Sequence, residues 1–282
     1  MFTPKIIALD LDGTLFSTAG EVTPYTKEQI RLAAEQGITT VISTGRPFAG
    51  LPFDAADELG IQYAITANGA GIYRIADKKC LHEDGIPSQA AAEICSMLRK
   101  LHLHMDVFIH GDAYTQSSTL SIIRHSLVLP ESVKNYILTT RYQVPEIASY
   151  ILENDLPLQK ATLTFEQEAD GTFIDREEAK ALLLSRPDLN VVCGGYHNLE
   201  FTGAGVTKGA GLRFLCDYLN IPLEASMAVG DSENDLDILK TSGFSVAMEN
   251  ADEEIRSACD YVTSSCNDDG VGHAIAKFIG AR

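Results

Sequence analysis

Two aspartates, Asp10 and Asp12, stand one residue apart at the end of a short apolar run, Ile6 to Leu9. A run of this kind is typical of a strand that is buried on both faces. Gly13 then lets the chain turn, and Thr14 can hydrogen-bond to the backbone there. Two like charges at a strand end repel each other unless a cation lies between them, and Mg²⁺ prefers such oxygen ligands. Taken alone, the pair fits a solvated acidic turn equally well.

Residues at later points in the chain extend this chemistry. Thr44 offers a hydroxyl after a second apolar run, and Lys208 begins a predicted helix, a position suited to anions. Asp231 and Asp235 follow a further apolar run, Ala225 to Val229. Several acids with one hydroxyl and one lysine suit a divalent metal ion beside a phosphate group. The Walker pattern and the glycine-rich dinucleotide pattern are both missing, which argues against those two kinds of site.

A parallel sheet would bring these residues together. Apolar runs alternate with predicted helices in the first part of the chain, and the same rhythm returns after Gly203. The predicted strands of this sheet are 6–9, 38–43, 63–67, 225–229, 244–247 and 261–262. Ligands bind beyond the carboxyl ends of the strands in such sheets, which is where the polar residues stand. The predicted fold class is therefore α/β, with a Rossmann-like parallel-sheet core.

The middle of the chain has a different pattern, which predicts an inserted α+β unit. Predicted helices at 88–100, 145–153 and 175–185 are mixed with a hairpin at 105–116 and strands at 160–165, 191–193 and 199–201. The segment 117–140 has no clear period and receives no assignment. We therefore predict a core domain whose first part is 1–83, an inserted domain at 84–190, and a second core part at 191–282.

Composition limits the partners of the protein. The net charge of the 282 residues is −17, which argues against nucleic acid and against anionic membrane surfaces. No apolar run is long enough to span a bilayer, and no apolar targeting segment precedes the first strand. The six cysteines are scattered, without a Cys-x-x-Cys pair, as in reduced cytoplasmic proteins. We expect a cytoplasmic protein with a small-molecule ligand, as a monomer or a homodimer.

Four motifs occur in a fixed order along the chain. They are Asp-Leu-Asp-Gly-Thr at 10–14, Ser-Thr-Gly-Arg-Pro at 43–47, Gly-Val-Thr-Lys-Gly around Lys208, and Gly-Asp-Ser-Glu-Asn-Asp at 230–235. With these motifs the sequence resembles the haloacid dehalogenase-like phosphohydrolases, and within them the Cof-type subfamily with an α+β cap of the C2B type. Asn68-Gly69-Ala70 and Asp269-Gly270-Val271 are also typical of that subfamily. The resemblance covers the whole chain, with the cap matched only in type and position.

The resemblance implies a Mg²⁺-dependent phosphatase for small phosphomonoesters, with sugar phosphates as the expected substrates. Asp10 would form an aspartyl phosphate, and Asp12 would protonate the leaving alcohol and then take a proton from water. The metal ligands would be Asp10, the backbone carbonyl of Asp12, and Asp231. Asp235 would orient Lys208 or metal-bound water from behind these ligands.

The same resemblance implies a phosphate-binding set. Thr44 would hydrogen-bond to a phosphoryl oxygen, and Lys208 would neutralise charge on the transferring group. Gly45, Arg46, Asn68 and Asn234 are the remaining candidate substrate-binding residues. For Thr44 an ordinary loop cap is the alternative interpretation.

Other functions remain open at this point. A phosphomutase of the phosphomannomutase type shares the nucleophile and a similar cap. A signalling receiver also accepts phosphate on an aspartate, but acts by binding a partner; Asp12 and the large insert argue against it. True dehalogenases lack the second aspartate, which is present here as Asp12. We interpret His102, His104 and His110 as scattered surface histidines rather than as a metal site.

Overall fold

The computed structural model describes residues 2–279, and the chain divides into two units. The core unit comprises the residues up to Arg46, the segment Leu51–His82, and the chain from Thr207 onward; the inserted unit comprises Pro47–Gly50 and Glu83–Val206. The second predicted boundary, at 190, is therefore wrong. Residues 191–206 belong to the inserted unit because two strands there pair with its sheet and not with the core sheet.

The strands, numbered along the chain, form two sheets. Their bounds are β1 Ile6–Leu9, β2 Thr39–Ser43, β3 Tyr63–Thr66, β4 Gly71–Arg74, β5 Lys79–Glu83, β6 Leu103–Ile109, β7 Asp112–Gln116, β8 Tyr142–Val144, β9 Lys160–Phe165, β10 Leu189–Cys193, β11 Leu199–Gly203, β12 Ser226–Gly230, β13 Phe244–Ala247 and β14 Tyr261–Val262. The core sheet has the order β14-β13-β12-β1-β2-β3-β4-β5, and the sheet of the inserted unit has the order β10-β11-β9-β6-β7-β8.

Eleven α-helices lie between and beside the strands within the described residues. Their bounds are α1 Pro24–Glu35, α2 Phe53–Glu58, α3 Ser88–Leu98, α4 Leu120–His125, α5 Glu131–Thr140, α6 Ile147–Glu153, α7 Arg176–Leu184, α8 Lys208–Leu219, α9 Leu236–Thr241, α10 Glu253–Ser257 and α11 Gly270–Ile279. Thr23 caps α1 by accepting a hydrogen bond from the backbone N–H of Thr26, with Pro24 in the first turn as predicted. Within residues 2–279, none of these helices is both long and apolar enough to cross a membrane.

The core sheet is parallel over six strands, from β14 to β3, as the sequence predicts. β1 lies between β12 and β2, and all four of its residues are buried. On one face, Ile6 and Ala8 belong to the same apolar cluster as Leu212 and Leu215 of α8. Burying this face stabilises the fold by about 25 cal/mol for each Å² of apolar surface removed from water. This packing fixes the position of Asp10, the residue that follows β1.

The inserted unit has a six-stranded sheet that is antiparallel except between β7 and β8. Helices α3 and α6 pack on one face over an apolar cluster that includes Leu103, Met105 and Val107 of β6. The alternate positions of β6 are polar at His104 and Asp106, both buried. Helices α4 and α5 fill the segment 117–140, where the sequence predicted nothing.

Candidate active site

Polar side chains collect at one edge of the core sheet because its parallel strands end there. Asp10 follows β1, Thr44 follows β2, and Asp231 follows β12. The strands are held in register by ladders such as that between β1 and β12, and the Asp10 N–H extends this ladder to the Val229 carbonyl at 3.1 Å. This is the edge at which ligands bind in sheets of this kind.

Lys208 joins three of the predicted site residues. Its Nζ donates hydrogen bonds to Asp10 Oδ1 at 2.7 Å, to Asp235 Oδ1 at 2.7 Å and to Asn234 Oδ1 at 3.2 Å. Lys208 is the first residue of α8, and Thr207 caps that helix by accepting from the Ala210 N–H. Only 1% of Lys208 is exposed, so its charge depends on these partners.

Asp235 uses both of its oxygens inside the protein. While Oδ1 accepts from Lys208, Oδ2 accepts from the backbone N–H groups of Asp231 and Ser232, at 3.1 and 3.2 Å. The Ser232 hydroxyl completes a capping box with it at the start of this turn. Asp235 therefore holds the turn that carries Asp231 and fixes Lys208 at the same time.

Asp231 lies against the turn that follows β1. Its Oδ1 accepts from the Thr14 hydroxyl at 3.2 Å, and its Oδ2 accepts from Asn250 Nδ2 at 3.3 Å. Gly13 has a φ of +84°, and a Cβ there would lie 2.3 Å from Asp231 Oδ2. Glycine is thus required both by the backbone conformation and by the closeness of the carboxylate.

The carboxylates are crowded enough to change their protonation. One oxygen each of Asp10, Asp231 and Asp235 lies within 4.8 Å of the other two. Burial raises the pKa of Asp10, and the charges of Asp235 and Asp231 raise it further against the opposing effect of Lys208. Burial and Asp235 likewise raise the pKa of Asp231 to about 7. When these carboxylates are ionised they repel each other, and added positive charge is needed to hold them together. The donor set therefore fits a hard divalent cation such as Mg²⁺.

Lys208 remains charged in this setting. Burial alone lowers the pKa of a lysine, but the contacts with Asp10 and Asp235 outweigh burial and raise the pKa of Lys208. A single ammonium group faces several carboxylates. Lys208 therefore offsets only part of the negative charge at this edge of the sheet.

Asp12 lies outside the crowded group. Its side chain is 63% exposed, and both of its oxygens accept hydrogen bonds from Arg46, at 2.9 Å from Nε and 2.6 Å from an Nη. The Arg46 guanidinium also lies 6.0 Å from the centre of the Phe16 ring. A two-point contact with arginine fixes a carboxylate in orientation as well as in position.

Thr44 and Asn68 shape the loops beside this group. Thr44 is 1% exposed, and its hydroxyl accepts from the Arg46 N–H at 3.2 Å, which is the loop-cap contact given above as the alternative. Gly45 links these two residues. Asn68 adopts a left-handed conformation with φ 55°, and its Oδ1 accepts from Asn234 Nδ2 at 3.3 Å. Asn68 is thereby connected through Asn234 to Lys208.

Sequence reasoning missed one residue of this edge, Asn250. It stands just beyond β13, the strand next to β12, so the rule that strand ends carry the ligand site was sufficient to find it. The apolar strand was predicted, but a lone asparagine after it, next to acids at 252–254 that begin the following helix, gives no local sign of a site.

The histidine interpretation is wrong for His104. Only 1% of this residue is exposed, and its ring nitrogens contact Asp106 Oδ1 and the Thr119 hydroxyl, each at 3.0 Å. Arg141 Nε donates to the other oxygen of Asp106 at 3.0 Å, so the inserted unit contains a buried charged network. His102 and His110 are exposed, as expected, and each contacts a glutamate.

Known proteins match nearly the whole chain. A family model described as haloacid dehalogenase-like hydrolase matches residues 7–275. Phosphatase YwpJ of Bacillus subtilis is 31% identical over 293 aligned positions, which cover 98% of this chain and 100% of YwpJ. The 5-amino-6-(5-phospho-D-ribitylamino)uracil phosphatase YcsE of the same bacterium is 27% identical, covering 98% of this chain and 96% of YcsE. A solved haloacid dehalogenase-like hydrolase from B. subtilis is 30% identical, with a TM-score of 0.81 over 96% of this chain and 98% of that one.

The family match and the geometry concern the same residues. The matched range includes all four motifs, and their residues meet at one edge of the core sheet. Lys208 and Asp235 join the first, third and fourth motifs, and Arg46 of the second motif contacts Asp12 of the first. The resemblance stated from the motifs is thereby confirmed, as is the α/β fold with a parallel core sheet. The chain belongs to the haloacid dehalogenase-like hydrolases of the Cof type, and it is a phosphatase.

Proposed function

We propose that the protein is a Mg²⁺-dependent phosphatase for small phosphomonoesters, sugar phosphates among them, and that it reacts through an aspartyl phosphate on Asp10. The observation that carries this proposal is the contact of buried Lys208 with both Asp10 and Asp235, with the Asp231 carboxylate alongside. It unites acid and cation groups from three motifs that are far apart in the sequence. No other cluster of three or more such ligand residues occurs in the described part of the chain.

The donor set suits Mg²⁺ because it offers hard carboxylate oxygens and excess negative charge. In the proposal, Asp10, the backbone carbonyl of Asp12 and Asp231 hold the ion. When bound, Mg²⁺ supplies positive charge that lets an anionic nucleophile approach an anionic phosphate. Asp235, whose oxygens are already engaged, acts by keeping Lys208 and the Asp231 turn in place.

Asp10 and Asp12 divide the chemistry of the two steps. A carboxylate oxygen of Asp10 bonds to phosphorus while the bond from phosphorus to the alcohol oxygen breaks, and Asp12 gives its proton to that oxygen. Water then bonds to phosphorus and gives a proton to Asp12, and the bond to Asp10 breaks, which releases phosphate. Lys208, Thr44 and backbone groups of the Gly45–Arg46 loop stabilise charge on the phosphoryl oxygens. Asn68 and Asn234 contribute to the same binding.

A small phosphorylated alcohol is supported as substrate by the relatives. The name of YcsE describes a phosphatase for a phosphorylated ribityl compound, which is a sugar-alcohol phosphate. At 27% identity this supports a class of substrate and not one compound. A phosphate ester of a polyol is therefore the first choice for a substrate screen.

The test is phosphate release from a panel of phosphorylated sugars, sugar alcohols, nucleotides and vitamin phosphates, with Mg²⁺ or with a chelator. We expect release that needs Mg²⁺ and disappears in Asp10→Asn, a variant that stays folded because it changes few atoms. Release that requires a bisphosphate activator would instead indicate a phosphomutase. Stable phosphorylation of the protein without turnover would indicate a receiver, and undiminished release from Asp10→Asn would remove Asp10 from the mechanism.

A further inference from the structure

Asn250 connects three loops at the carboxylate edge of the core sheet. Its Nδ2 donates to the Gly13 carbonyl at 2.9 Å and to Asp231 Oδ2 at 3.3 Å. Its Oδ1 accepts from the backbone N–H of Cys266 at 2.9 Å. One side chain thus ties the turn after β1 and the turn after β12 to the segment between β14 and α11.

The amide group matches what these neighbours require. The Gly13 carbonyl and Asp231 Oδ2 are both acceptors, and the close approach of Gly13 to Asp231 brings the two turns together. An amide NH₂ has two hydrogens and can serve both acceptors at once. With the Thr14 hydroxyl on Oδ1, each oxygen of Asp231 then has a donor that fixes the plane of the carboxylate.

We propose that Asn250 is a positioning residue for Asp231 and that it increases the affinity of the core unit for a divalent cation. This inference rests on the proposed function, in which Asp231 is a metal ligand. Groups that orient a metal ligand through a hydrogen bond change metal affinity about 10–100-fold when they are removed. Without Asn250 the Asp231 side chain gains rotational freedom, which must be lost again when the cation binds.

A purely structural tether is the competing explanation, and the chain offers a matched control for it. Asn267 lies in the same segment as Cys266, and its Oδ1 accepts from the N–H and hydroxyl of Thr18 at 2.9 and 3.0 Å. Asn267 therefore also ties this segment to the loop after β1. Within the described residues, the Asn267 side chain makes its hydrogen bonds to Thr18 and not to Asp231.

The experiment compares Asn250→Ala and Asn267→Ala with the wild type. Metal-free protein is titrated with MgCl₂ by calorimetry and with Mn²⁺ by electron paramagnetic resonance, neither of which depends on turnover. We expect Asn250→Ala to weaken cation binding about 10-fold or more, and Asn267→Ala to bind like the wild type. In phosphatase assays the Mg²⁺ concentration needed for half-maximal rate should rise for Asn250→Ala, while kcat at saturating Mg²⁺ recovers.

Two results would overturn the inference itself. Unchanged cation affinity in Asn250→Ala shows that Asn250 does not position Asp231, and equal losses in both variants show that it is only a tether. If Asn250→Ala does not fold, Asn250→Leu, which keeps the size of the side chain but has no donor, takes its place under the same criteria. A wild-type protein that binds no Mg²⁺ and needs none for phosphate release defeats the proposed function itself, which separates the two failures.

Discussion

Lys208 and Asp235 fix the positions of neighbouring charged groups of this site. One oxygen of Asp235 accepts a hydrogen bond from the Lys208 ammonium group, and the other accepts from two backbone N–H groups. Asp235 therefore cannot move toward a ligand without breaking the hydrogen bonds of the turn. Lys208 in turn holds Asp10 at 2.7 Å. The nucleophile of the proposed reaction is thus oriented before any substrate arrives, which reduces the ordering required at the transition state.

The proposed role of Asp12, proton donation to the leaving alcohol, can be measured separately from substrate binding. We predict that Asp12→Asn lowers the rate of phosphoryl transfer by a factor on the order of 10²–10⁴, because the leaving alcohol loses its proton donor. The loss should shrink for nitrophenyl phosphate, whose leaving group needs little protonation. Single-turnover rates with an alkyl phosphate and with nitrophenyl phosphate give the comparison.

The matched control for this prediction is Asp57→Asn, which removes an exposed carboxylate from α2. It should leave both rates unchanged, so any general effect of lowering the negative charge is visible. Equal losses for both substrates in Asp12→Asn would argue against proton donation. A role in holding Arg46, which Asp12 contacts through both oxygens, would then become the better explanation.

At the scale of elements, burial alone does not separate the strands that the sequence predicted from those that it missed: β14 is partly exposed and was predicted, while β4 is largely buried and was missed. β1, β9, β13 and β14 were predicted to the residue or nearly so because period and apolar content mark them. β4 and β5 were missed: one is four residues long after a tight turn, and the other is mostly exposed. Their pairing with the sheet depends on tertiary contacts, which a local pattern does not contain.

The prediction of a domain boundary at 190 was wrong for a related reason. The sequence predicts β10 and β11 as short strands of the mixed pattern, but their local sequence does not say which sheet they join, and the predicted boundary falls before them. Which sheet a short strand joins is decided by its partner, and β11 pairs with β9. His104 was misplaced likewise, because only the fold brings Thr115, Thr119 and Asp106 around its ring.

The buried network of the inserted unit predicts a pH-dependent stability. Burial raises the pKa of Asp106, but His104 and Arg141 outweigh burial and lower it to about 2. A depressed pKa means that the ionised group stabilises the fold above the unfolded value of about 4, and that this is lost as the pH falls toward 2. We expect Asp106→Asn to cost about 3–5 kcal/mol at pH 7, with a smaller cost below pH 4, in urea unfolding followed by circular dichroism.

The control is Asp188→Asn, which removes an exposed carboxylate that pairs with Arg186 in the same unit. Surface pairs contribute little, so this variant should unfold at nearly the wild-type urea concentration at every pH. If Asp106→Asn behaves like Asp188→Asn, the buried network does not stabilise the unit. A cost for Asp106→Asn that stays constant down to pH 2 would also contradict the assigned ionisation.

At the scale of the whole molecule, the proposed chemistry is confined to one unit. Every residue named in the proposed reaction lies in the core unit, while the inserted unit contributes none of them. We therefore propose that the core determines that a phosphate ester is cleaved, and that the inserted unit determines which alcohol is accepted. The six cysteines are all free thiols in the structure.

Exchange of the inserted unit tests this division. Residues 83–206 are replaced by the corresponding segment of a relative with a different substrate preference. We expect the ranking of substrates by kcat/KM to follow the donor of the segment, while the Mg²⁺ requirement and the loss in Asp10→Asn persist. An active chimera that keeps the original ranking would place specificity in the core loops at Arg46 and Asn68.

The central claim, that Asp10 carries the phosphoryl group, is tested most directly by trapping the intermediate. Protein is mixed with nitrophenyl phosphate radiolabelled at phosphorus, quenched in acid and digested with trypsin, and the label is located by mass spectrometry. We predict Mg²⁺-dependent label on the peptide of residues 6–27, with none in Asp10→Asn and more in Asp12→Asn, where attack by water lacks its base. Label that persists in Asp10→Asn, or that lies on another peptide, would contradict the account.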